Sequence, residues 1–278
     1  MPSLDGVYAK LDRATEHASE LRQTINAAFE ATNQKIIREV SADDSKIVYR
    51  VEVLPLIDPR WSLLLGDFLT NMRAALDHLA WQLVLLDAGT PTCDTSFPIT
   101  TSWRSRSGKS PAKPVTIAGL HDKTVLDLVE AVQPRALVSL HAKPENSPLH
   151  VLNELVNIDK HRLLLLFAHT LRWDQIWFGV PADRQPPTFN LNTALLADGD
   201  VVATFDFGDS GVFSNFDPQV TLGLRLDVGL DIAPLRSVEV LQTVEMIYSS
   251  VEHSVISANF ASLFGVGARH SARAFGPQ

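Results

Sequence analysis

One helix constrains this chain more than any other feature. From Asp58-Pro59 onward, Trp61, Leu65, Phe68, Met72, Ala75, Leu76, Leu79, Leu83 and Leu86 project onto a single stripe at helical spacing. Pro59 suits a first helical turn, and Gly89 and Pro91 supply the stop. A stripe this long must be buried against other elements, so the chain needs partners for it.

The flanking segments supply them. Residues 4–33 repeat Leu4, Val7, Leu11, Ala14, Leu21, Ile25 and Phe29 near a 3.6 period. Residues 35–40 and 46–53 switch period on either side of the polar turn "SADDS", with Ile47, Tyr49, Val51 and Val53 alternating against Val48, Arg50 and Glu52, and predict a β-hairpin. A shorter helix is expected over 115–132, ending at "QPR". Another is expected over 148–170, with everything after Arg162 buried because that half is apolar on all sides.

Residues 171–234 read as strands, with Asp198-Gly199 as a hairpin turn and "VTLGLRLDV" alternating. Pro234 opens a last helix over 235–264. Together these predict an α+β fold: a helical bundle core with an N-terminal β-hairpin and a small antiparallel β insert. As one domain over 1–278, the helical core is 1–170 and 235–264, the insert 171–234, and 265–278 a frayed tail.

Polar residues on the helices mark candidate sites. On the long helix, Asp67, Asn71, His78 and Gln82 fall on one flank and Arg73 and Asp77 on the other. Arg73 and Asp77 are placed to pair. Arg73 and His78 are about 140° apart, too far for one small substrate unless another element completes the site. On the 148–170 helix, Asp159 falls on the apolar stripe, which demands a partner: an arginine, a histidine or backbone N–H groups. Arg73 and His78 are the obvious candidates. Asn157 and His161 share a different face beside Glu154.

Composition narrows the rest. The net charge of −8 gives no general nucleic-acid footprint, although "WRSRSGKSPAK" concentrates Arg104, Arg106, Lys109 and Lys113 in one loop. A single cysteine, Cys93, allows no intrachain disulfide and suits a reducing cytoplasm. The opening "MPSLDGVYAKLDRATEH" has no apolar h-region, and the run "LLLLFA" is too short to span a bilayer. No metal or cofactor is expected. The Glu-x-x-His pairs of a dimetal bundle, a phosphate-binding glycine loop and a local activator for Cys93 are all missing.

Two resemblances attach to these residues. "GDFLTNMRAALDHLAWQL", "SFPI", "AVQPR" and "LHVLNELVNIDKHRLLL" resemble a recurring set of uncharacterised bacterial proteins, over roughly residues 60–168. Arg73-x4-His78 resembles the motif of HEPN-type helical ribonucleases, although Ala74 stands where that family usually has a polar residue. That second resemblance implies a homodimer joining Arg73 and His78 across its interface, with RNA as substrate and no metal. His78 would move the proton of the ribose hydroxyl, Arg73 would stabilise phosphate charge, and Arg104 and Arg106 would hold the backbone.

Three readings follow. One is a HEPN-like ribonuclease using Arg73, His78, Asp159 and His161, with Asn71 and Asn157 as ligand-binding groups. The second is a non-catalytic binding or interaction module whose polar groups are structural. The third is a small-molecule enzyme using a His–Asp pair.

Overall fold

The computed structural model describes residues 1–32, 35–102, 114–137, 143–160, 167–179, 185–192, 194, 196–208, 219–230 and 238–266. It is an α+β chain that divides into two compact units.

The first unit comprises Met1–Leu21, Ser62–Leu164 and Gln242–Gln278. Its main elements are the start of α1 (Asp5–Ala31), most of α2 (Pro59–Leu86), α3 (Lys123–Ala131) and α4 (Pro148–Asp159). Most of α5 (Val240–Ser249) and a π-helical segment, Ser250–Phe260, complete it. Asp58 caps α2 by accepting the Arg60 N–H at 2.8 Å. Leu65, Phe68, Met72, Leu76, Leu79 and Leu83 of the predicted stripe are fully buried. α1 runs antiparallel to α2: the Ser3 N–H donates to Gln82 Oε1 at 3.0 Å, and His17 meets Asp67 near the other end.

The second unit comprises Arg22–Trp61 and Leu165–Leu241. The hairpin β1 (Lys35–Val40) and β2 (Lys46–Val53) pairs as expected, with Val40 opposite Ile47. Ser41 Oγ accepts the Lys46 N–H at 2.8 Å, so the polar turn closes on its own side chains. Strand β2 then pairs with β5 (Val201–Asp206), and β5 with β4 (Thr188–Leu191), in the order β1-β2-β5-β4. The core of this sheet is Ile47, Tyr49, Val51, Leu54, Leu196, Val202, Ala203 and Phe205. A second sheet pairs β3 (Phe167–Gly179) with β6 (Gln219–Leu230), and β6 with the short β7 (Val238–Glu239).

Several expected boundaries move. Residues 167–170 belong to β3, not to a helix, because an unbroken apolar run carries no period and suits a buried strand equally well. α3 begins at Lys123 instead of 115, because Asp122 caps it, accepting the Thr124 N–H at 2.7 Å and the Val125 N–H at 3.3 Å. Residues 238–239, expected to be helical, form β7. Asp198-Gly199 does turn the chain, with Gly199 at φ 85° and Asp200 N–H donating to the Ala197 carbonyl. It is not a two-residue hairpin, however. Asp198 reaches across to accept the Leu54 N–H at 2.9 Å, and Gly199 N–H donates to Val51, so the turn is seated on β2. Among the described residues, no helix is long and apolar enough to cross a membrane.

Candidate functional site

The polar flanks of α2 are best followed from what each side chain touches. Arg73 donates from Nε and Nη2 to the Asp77 carboxylate at 3.2 and 2.9 Å, and again from Nη2 to the Phe97 carbonyl at 2.7 Å. Asp77 in turn accepts the Phe97 N–H at 2.9 Å. The pair therefore grips both polar groups of one residue in the "FPI" loop. The Phe97 ring is buried and meets Phe260 edge-on, with centroids 6.5 Å apart.

The "QPR" turn holds the same loop further along. Buried Gln133 accepts the Thr100 N–H at 2.9 Å through Oε1 and donates to the Val129 carbonyl at 3.0 Å. Arg135, also buried, donates to the Ser102 carbonyl and forks onto Glu130 at 2.7 and 2.6 Å. The Arg135 guanidinium, helped by the Val115 N–H, holds the Glu130 carboxyl below the usual range against a burial penalty. Residues 97–102 thus form a strap tied to α2 at one end and to the end of α3 at the other.

The opposite flank of α2 seats α1. His78 is exposed, and its Nδ1 would lie 3.0 Å from a Cβ at Gly6. Gln82 holds the Ser3 N–H, and Asn71 donates to the Asp67 backbone carbonyl at 2.8 Å. His17 Nδ1, on a buried side chain, stands 4.0 Å from Asp67 Oδ2.

Asp159 meets neither of its expected partners. Its carboxylate lies on the backbone of Gly66, where a Cβ would stand 2.8 Å from both oxygens. From position 66 to position 78 is about 18 Å of helix, so His78 is out of reach, and Arg73 is engaged elsewhere. Among the described residues Asp159 has no hydrogen bond or ion pair. Burial, and then the negative charge of Asp67, push its carboxyl above the ordinary aspartate range. Asn157 is exposed on α4. His161, Arg104 and Arg106 lie outside the described residues.

Two features escape a reading by spacing alone. The first is the junction of His17, Asp67 and Asp159 at Gly66, whose one sequence signal is a glycine inside a strong helix. The second is a cleft of about 750 Å³ in the first unit. Val132, Leu137, Leu149 and Met246 give it apolar wall, and Ser254 and Asn259 of the π-helical segment give it polar wall. The π segment also carries a fully buried carboxylate, Glu252, which accepts from Ser257 Oγ at 2.9 Å and lies against Nδ1 of His253. π-helices are rare and frequently mark functional sites. No group of three or more metal-ligating side chains occurs among the described residues. In comparisons with protein families, with curated proteins and with solved structures, nothing matches the chain.

Proposed function

We propose that this chain is a non-catalytic binding module whose ligand site is the cleft beside the π-helical segment. One observation carries the reading. The Arg73 guanidinium is spent on Asp77 and on the Phe97 carbonyl, so the residue that would stabilise phosphate charge instead ties a strap to α2. The cleft volume falls within the ~300–1,000 Å³ range of small-molecule sites, and its mixture of apolar wall and a few hydroxyl and amide groups is what such sites use. A reducing cytoplasm suits its exposed thiol, Cys93.

The competing reading is a HEPN-like ribonuclease, and His78 favours it by being exposed. RNA cleavage by wild type and His78→Ala in the presence of a chelator separates the two. The binding module predicts no cleavage by either protein. Cleavage by wild type that is lost in His78→Ala would overturn it. A thermal-shift screen of small molecules should then yield hits that disappear in a Ser254→Trp variant, which fills the cleft.

A further inference from the structure

We propose that the ligand of the cleft is a cationic amphiphile, an organic amine on an apolar body. This deepens the reading of the cleft as a ligand site and rests on it. One face of α5 supplies a wall: Gln242, Glu245, Met246 and Ser249 follow one another at helical spacing. Carried on at α pitch, that face would next present His253, one turn beyond Ser249. The wider π turn brings Ser254 there instead, and His253 is not part of the lining.

The resulting wall is acidic. Among the described residues it holds no lysine, arginine or histidine, and half-buried Glu245 is its one ionisable side chain. Two helix ends reach the cleft and oppose each other: α3 presents its carbonyl end at Ala131 and Val132, and α4 its amide end at Pro148 and Leu149. Pro148, moreover, has no N–H to offer. A carboxylate or phosphate entering here would find no counter-charge, whereas an ammonium would find one.

The uncharged polar groups lean the same way. Asn259 donates from Nδ2 to the Ser254 carbonyl at 2.5 Å, so the atom it offers a ligand is Oδ1, an acceptor. The hydroxyls of Ser249, Ser250 and Ser254 accept as readily as they donate. An ammonium brings donors and no acceptor, which matches this set. Val132, Leu149, Met246 and Val255 take the hydrocarbon part, and the flexible thioether of Met246 adapts to its shape.

Isothermal titration calorimetry of the full chain with decylamine, decanol and decanoate tests the proposal. The three probes share one flexible body and differ in the head group. Decylamine should bind at least about tenfold more tightly than decanoate, with decanol between them. Glu245→Gln should bring decylamine down to the decanol affinity, with an unchanged circular dichroism spectrum. Ser254→Lys, at an exposed position, should reverse the order of amine and carboxylate. Ser254→Trp should abolish binding of all three. If no probe binds, or if binding is indifferent to Ser254→Trp, the cleft is not a ligand site and both readings fall. The cleft stands and the amine is overturned by any of three results: decanoate binding there as tightly as decylamine, an amine preference that survives Glu245→Gln, or an order unchanged in Ser254→Lys.

Discussion

Asp77 accepts the N–H of Phe97 at 2.9 Å, while the arginine bound to Asp77 donates to the carbonyl of the same residue. One peptide segment is thereby held from both sides by a single ion pair. The pair's strength is reduced by solvent, since the Asp77 side chain is 36% exposed. Asp77→Ala should cost about 1 kcal/mol in urea denaturation and speed amide exchange at Phe97. An unchanged midpoint together with unchanged exchange would show that the strap needs no anchor on α2.

The other anchor is more deeply placed, with the Arg135 side chain 2% exposed. Glu130→Ala leaves that buried guanidinium without its carboxylate and should cost about 3 kcal/mol. The pH dependence follows from the lowered Glu130 carboxyl. Its stabilisation is complete above the ordinary glutamate range and is lost as pH falls through the lower folded value. Wild type should therefore lose more stability than Glu130→Gln over that acidic window. Parallel acid-unfolding curves for the two proteins would contradict this.

Asp159 has the opposite sign. Its folded carboxyl is raised, so the native state holds the proton more tightly than the unfolded chain does. Stability should fall as pH rises from the ordinary aspartate range through the raised folded value. Asp159→Asn should consequently raise Tm at neutral pH and have little effect in acid. A lower Tm at neutral pH would show that the ionised carboxylate has a favourable partner.

Gly66 and Asp159 should be coupled. Alanine is better than glycine inside a helix by about 1 kcal/mol, yet a Cβ here meets both carboxylate oxygens at 2.8 Å. Gly66→Ala should destabilise the wild type. In an Asp159→Ala background the same change should stabilise by about 1 kcal/mol. Additive effects in the double-mutant cycle would mean that the contact carries no energy.

Periodic segments were legible because burial repeats. The stripe of α2 and the alternation of β2 each point to one face, and α2, β1 and β2 form where expected. The run "LLLLFA" has no such repeat, and its last residues, Phe167 and Ala168, enter a strand. The partner of Asp159 was illegible for a different reason. Helical angles rank residues around one axis, but the contact depends on where α4 meets α2 along it, and that point is Gly66. Arg73 with Asp77 needed only a four-residue spacing, whereas the Phe97 peptide between them comes from a loop with no period at all.

The pairing of β2 with β5 has a consequence for synthesis. Arg50 reaches the Gly199 carbonyl across 149 positions of chain. A nascent chain therefore carries β1 and β2 as a lone two-stranded ribbon, marginal in water, until β5 emerges. During that interval one edge of β2 offers unpaired backbone groups and the apolar row Ile47, Tyr49 and Val51 to any other strand. The rate of elongation between these strands then sets how long that edge stays exposed.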